Sequence, residues 1–152
     1  MNISCVTEKT LPVAALIHAV SWQQSHRAFC REDFVLAHTP ERQQNYLRAK
    51  MQQGTRVFLL SDERPAGIVS VTGSLIENLY VLPECQNCGY GSCLLDFAIR
   101  ECVGAPTLWI LDNNDGARRL YERRGFRATG RSHPLSETLS EIEFVLTTGA
   151  QP

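Results

Sequence analysis

Between an apolar run at residues 76–82 and a helix-like run that begins at Ser92 lies the turn Gln86-x-x-Gly89-x-Gly91. A strand that feeds a glycine loop and then a helix leaves backbone N–H groups unpaired at the positive end of the helix dipole, an arrangement suited to a phosphate or pyrophosphate. Two common anion loops do not fit. A Walker loop needs Gly-Lys followed by Ser or Thr, and a dinucleotide fingerprint needs a third glycine or alanine at position 94, where this chain has Leu94. Alone, the Gly-x-Gly is equally compatible with an ordinary tight turn.

The next segment narrows the choice. Leu108-Trp109-Ile110-Leu111 is a short apolar run suited to a buried strand, followed by Asn114-x-x-Ala117-x-x-x-Tyr121-x-x-x-Gly125-Phe126. Asn114 stands at an expected helix N-cap, and Gly125 follows Arg123-Arg124 as a C-terminal stop. Two strand-to-helix units therefore occur in tandem. In this order the two motifs resemble the GCN5-related N-acetyltransferase (GNAT) family, whose members carry an acyl group from coenzyme A to an amine. The resemblance covers most of the chain.

The resemblance implies a mixed α/β sheet, mostly antiparallel, with helices on both faces and a central parallel pair splayed to admit the pantetheine arm. That pair would be residues 76–81 and 107–111. Backbone groups of Leu79, Tyr80 and Val81 would face the acyl-pantetheine. The loop from Gln86 through Asn87, Cys88, Gly89, Tyr90, Gly91 and Ser92 would hold the pyrophosphate, and Asn114 would contact the cofactor arm. Acetyl-CoA is the implied co-substrate, and a homodimer is compatible with the family.

The implied chemistry needs a neutral amine, although a free alkylammonium has a pKa of about 10.4. It also needs donors for the tetrahedral oxyanion and a proton for the leaving thiolate. By resemblance Tyr121 is that acid, since a phenol donates without being charged at pH 7. On residue type alone Tyr121 would be a half-buried aromatic of an amphipathic helix. The base is less apparent, because Leu75 and Trp109 occupy two positions where family members carry glutamate. Glu77 shares a sheet face with Leu75 in a regular strand and is the candidate base; His26 and His133 are weaker ones. Trp22, His26 and Phe29, with Phe34, cluster after the first helix and are candidate acceptor contacts, as is a Pro-containing loop at 131–138. Residue type alone favours core packing for those aromatics. The acceptor is expected to be a primary amine of a small molecule, with a protein N-terminus or lysine as the alternative. A CoA-binding sensor without catalysis is the rival from another class.

These residues need a frame, and the rest of the chain supplies one. A single domain over 1–152 is expected from 152 residues, enough for a core without disulfides or a structural metal. The order reads strand (2–7), helices (11–24 and 40–53), strands (57–60, 67–71 and 76–82), helix, strand, helix and two last strands, one at 143–147. Thr39-Pro40-Glu41 reads as a cap with proline at the first helical position. With 15 basic against 16 acidic residues there is no charge footprint for nucleic acid or membrane. No apolar run reaches the roughly 20 residues of a membrane span and no signal-peptide pattern opens the chain, so a cytoplasmic location is expected. Cys85-x-x-Cys88 has a zinc-ligand spacing but no second close pair, so no metal is expected; Cys88 offers the anion loop a backbone N–H, and the remaining cysteines read as small core residues. The arginines at 118, 119, 123, 124 and 127 read as a solvated helix face.

Overall fold

The computed structural model describes residues 1–147. In chain order the elements are β1 (Asn2–Cys5), α1 (Leu11–His26), α2 (Glu32–Leu36), α3 (Pro40–Gln52), β2 (Arg56–Asp62), β3 (Arg64–Thr72) and β4 (Leu75–Val81). A short 3-10 turn (Pro83–Cys85) leads to α4 (Tyr90–Glu101), β5 (Thr107–Leu111), α5 (Asp115–Arg123), β6 (Phe126–Pro134) and β7 (Ser140–Leu146). The strands form one sheet in the order β1-β2-β3-β4-β5-β7-β6, antiparallel except for β4 against β5.

Three differences from the sequence reading have local causes. The extra helix α2 has five residues, too few for a periodic signal, and is pinned by one buried side chain, Val35. The first half of the segment 131–138 is strand, because β6 continues to Pro134 and pairs with Ser140 of β7; residues 135–138 form the turn between them. Of the six cysteines Cys85 is buried in the core and Cys93 and Cys102 pack half-buried against it, whereas Cys5 is exposed and does not belong to it.

Helices cover both faces. On β2, Val57 and Leu59 pack with Leu11, Ala14 and Ile17 of α1 and Leu47 of α3, whereas Phe58 and Leu60 pack with Leu94, Leu95 and Ala98 of α4. A strand covered on both sides has no polar face, which is why β2 and β3 read as continuous apolar runs rather than alternating ones. Gly67 is required by close approach, since a Cβ there would lie 2.8 Å from Leu94 Cδ1 and 2.8 Å from the Tyr80 carbonyl oxygen.

Two irregularities of β4 shape the site. Its parallel pairing with β5 consists of Leu75 with Thr107 and Ile76 with Leu108, after which the strands part. Beyond that point the β5-facing backbone groups of β4 have no ladder partner. The register against β3 also slips, from Ser70 opposite Glu77 to Ile68 opposite Tyr80, and Asn78 takes φ 54°. This is a β-bulge. Because of it Glu77 and Asn78 both face α1 and α3, Leu79 faces α4, and Tyr80 returns to the α1 side against His18.

Candidate active site

The slot between β4 and β5 opens into a cleft of about 1160 Å³, lined by β4 from Leu75 to Val81, by β5 from Leu108 to Leu111, and by Gln86, Asn114 and Tyr121. Trp22, His26 and Phe29 line the same cleft from α1 and the turn after it, and Arg131, His133 and Leu135 line it from the β6–β7 hairpin.

The glycine turn continues from Gln86. Asn87 (φ 63°) and Gly89 (φ 85°) both take left-handed backbone, and Gly89 is the N-cap of α4, which has no side-chain cap. The Cys93 N–H donates to the Gly89 carbonyl at 3.1 Å, so the N–H groups of Tyr90, Gly91 and Ser92 precede the first intrahelical bond. Alternating backbone of this kind forms an anion-binding concavity. A Cβ on Gly91 would meet nothing nearer than Leu120 Cδ2 at 3.9 Å, so the fold itself does not demand glycine there. The loop side chains turn elsewhere. The Tyr90 hydroxyl donates to Asp62 Oδ2 at 2.8 Å, which raises the phenol to about 12. Gln86 Nε2 donates to the Val81 carbonyl at 3.2 Å, and Cys88 is exposed.

Tyr121 is set by α5. The Asn114 side chain caps this helix, its Oδ1 accepting from the Ala117 N–H at 3.1 Å. One face of α5 then reaches the core, carrying Tyr121 into contact with Phe126 at 5.9 Å between ring centroids. The residue is 8% exposed, more buried than the amphipathic pattern alone implies, and burial raises its phenol to about 12.

Glu77 lines the cleft, but its Oε1 is 3.1 Å from Lys50 Nζ on α3, too poorly aligned for a hydrogen bond. Its carboxylate is thus drawn towards a cation that the sequence reading did not pair with it. Trp22 and His26 form part of an aromatic stack, with Trp22 3.9 Å from the His26 ring and 3.5 Å from the His38 ring, both nearly parallel. His26 Nδ1 lies 2.8 Å from the Trp22 carbonyl and 2.8 Å from the Ser25 hydroxyl. Burial, more than the nearby His38, lowers the His26 pKa. Phe29 is 40% exposed and Phe34 50%, so neither is a core residue.

The sequence reading missed several lining residues. Trp109 and Leu111 alternate with the core residues Leu108 and Ile110, and Trp109 lies opposite Glu143 of β7. Glu143 accepts from Thr129 Oγ1 at 2.8 Å and lies 3.6 Å from Arg131, whose guanidinium sits 5.8 Å from the centre of the Trp109 ring. Alternation on β5 was a usable signal for Trp109; nothing in the sequence marked Asn78 as a bulge.

With this geometry established, the similarities to known proteins become specific. The acetyltransferase (GNAT) domain model matches residues 53–128, from β2 through the start of β6. The chain belongs to the GNAT family. Among curated relatives, the peptidyl-lysine N-acetyltransferase YjaB of Salmonella typhimurium is 29% identical over 76 residues, 50% of this chain and 52% of that protein. The chain thus spans about half the length of the curated relatives it matches. A GCN5-related N-acetyltransferase from Rhodopseudomonas palustris superposes with a TM-score of 0.75 at 19% identity, covering 95% of this chain and 94% of that one. The yncA protein of Salmonella typhimurium, solved with acetyl-CoA, superposes at 0.71 and 19% identity, covering 96% and 92%. These structures share the GNAT fold, including the mixed sheet expected from the sequence. Among the described residues no helix is long and apolar enough to cross a membrane, and no group of three His, Cys, Asp or Glu side chains is placed to hold a metal.

Proposed function

We propose that this chain transfers an acetyl group from acetyl-CoA to the primary amine of a small molecule, by direct attack and without a metal or a covalent enzyme intermediate. The observation that carries the reading is one continuous cleft. It runs from Gln86, at the head of the anion loop, along the unpaired side of β4 to Tyr121. The residues present fit the co-substrate, since the loop offers free N–H groups, Gly91 leaves room for close approach, and the parted strands offer backbone partners to an extended arm.

In this reading the N–H groups of the loop and of the first turn of α4 bind the pyrophosphate. Backbone groups from Leu79 to Val81 orient the pantetheine and supply donors where charge develops on the thioester oxygen. Tyr121, a protonated phenol throughout the neutral range, gives its proton to the departing thiolate. Asn114 fixes the helix that carries it. The amine proton leaves through water, with Glu77, His26 and His133 as the candidate protein acceptors that line the cleft. Acetyl-CoA as co-substrate implies a cytoplasmic setting.

The acceptor end supports a small molecule. Ala28, Phe29, His133 and Leu135 all line the cleft, whose volume of about 1160 Å³ suits a small acceptor beside the cofactor arm. A lysine side chain is the second reading, favoured by the name that the YjaB relatives carry. Thiol release from acetyl-CoA, measured against free amines and against lysine-containing and free-N-terminal peptides, separates the two. Binding of acetyl-CoA without turnover on any acceptor would refute both and leave a CoA-binding module.

A further inference from the structure

Beneath the bulge runs a buried chain of hydrogen bonds to which the reading above assigns no role. Gln43 Nε2, on α3, donates to His18 Nδ1 at 2.6 Å, and His18 Nε2 lies 3.3 Å from Asn78 Oδ1. Asn78 Nδ2 donates in turn to Ser70 Oγ at 3.3 Å on the neighbouring strand. An amide nitrogen only donates and an amide oxygen only accepts, so the imidazole has Nδ1 bare and Nε2 protonated. Burial favours that neutral form, pushing His18 down to about 4. Gln43, His18 and Ser70 are buried, and the His18 ring is boxed in by Tyr80 and Tyr46, with centroids 5.0 Å and 5.6 Å away.

Asn78 needs such an anchor. Asn tolerates left-handed backbone better than most residues with a Cβ but is not forced into it, and a regular strand would turn Asn78 to the α4 side and reverse the facing of every residue after it. β5 gives no help, because its pairing with β4 ends at Ile76. The bulge is instead held by its side chain, from α1 through His18 and from β3 through Ser70.

We propose that His18 is a positioning residue of the cleft: through Asn78 it holds the β4 bulge, and so aims the β5-facing backbone groups of residues 78–81 into the slot. His18 does not line the cleft and touches no reacting atom. The kinetic part of the inference rests on the acetyl-transfer reading; the conformational part does not.

The test compares the wild-type chain with His18→Phe, which fills the ring's space without hydrogen bonds, and with Asn78→Gly, which permits the left-handed backbone without the anchor. Hydrogen exchange followed by mass spectrometry reads the bulge with no need for turnover. Both variants should show faster exchange confined to residues 77–81, whereas a purely structural loss would speed exchange throughout the sheet. Turnover number should fall about 10- to 100-fold, as expected when reacting groups are misplaced on the ångström scale, with a smaller loss of acetyl-CoA affinity, because the pantetheine contacts shift while the anion loop is untouched. Folded variants with wild-type exchange at 77–81 would overturn the proposal, as would exchange that rises uniformly. Should His18→Phe fail to fold, Asn78→Gly decides by the same two readouts. Should the wild type acetylate no acceptor, the acetyltransferase reading fails and the exchange comparison still decides this one.

Discussion

Replacing Tyr121 by Phe separates its proposed chemistry from its packing. The ring is 8% exposed and lies 5.9 Å from that of Phe126, contacts that Phe retains. Thermal stability and acetyl-CoA affinity should therefore stay close to wild type. What is lost is the proton. With the phenol held at about 12 by burial, only about one molecule in 100,000 is ionised at pH 7, so the acid form is present throughout the working range. General acid catalysis contributes about 100- to 10,000-fold, which corresponds to about 3–5.5 kcal/mol of barrier. Single-turnover measurement with a saturating amine reads the chemical step free of product release, and a loss within that range is expected. The burial carries a second consequence: a basic limb in the wild-type pH–rate profile well below pH 12 cannot come from Tyr121, so the phenylalanine variant should keep the shape of the profile and lose only its height. Full single-turnover activity in Tyr121→Phe would refute the assignment and leave Tyr121 as a core aromatic.

Other perturbations probe the remaining parts. Gly91→Val should weaken acetyl-CoA binding by at least tenfold, about 1.4 kcal/mol by calorimetry, with little change in folding because the site is open; unchanged affinity would make the loop only a turn. Gly89 is a poorer probe, since its φ of 85° strains any side chain regardless of ligand. Asn114→Ala should cost about 1 kcal/mol in urea unfolding through loss of the cap, and should raise the KM for acetyl-CoA if the side chain also meets the cofactor arm. His18 is held down to about 4 against an ordinary 6.5, so the unfolded chain takes up its proton first as the pH falls. Stability should therefore drop between those two values, by about 3 kcal/mol in all from this residue, and that part of the slope should vanish in His18→Phe.

Much of the frame was legible because local signals and tertiary packing agree. The Thr39 cap before Pro40, the Asn114 cap and the Gly89 turn all stand where the residue types place them. Leu79, Tyr80, Val81, Gln86, Asn114 and Tyr121, named from the two motifs, line one cleft, although the first three follow the irregular part of β4. What the sequence hid depends on distant partners. The cation beside Glu77 comes from α3, 27 positions earlier by the numbering of Lys50, and no local pattern pairs them. The length of β6 is set by its ladder to β7, which overrides the loop-like Arg131-Ser132-His133-Pro134 composition. α2 owes its existence to the burial of Val35 rather than to periodicity.

The bulge is the clearest case, because it changes what an alternation argument may claim. Counting by twos from Leu75 places Glu77 correctly on the α1 and α3 side, but continuing past Asn78 would send Tyr80 to the α4 side, where it is not found. The extra residue shifts every later side chain by one position and sets the carboxylate of Glu77 and the amide of Asn78 side by side at the cleft wall. The two then meet different fates. Asn78 is tied down by His18 and Ser70, whereas Glu77 faces only the Lys50 ammonium, on side chains still 29% and 26% exposed. The Oε1 that faces Lys50 is itself shut off from solvent and has no hydrogen-bond partner, so the solvent contact of Glu77 lies elsewhere on its side chain. In the proposed reaction, Glu77 can therefore serve as a proton acceptor only where Lys50 gives way.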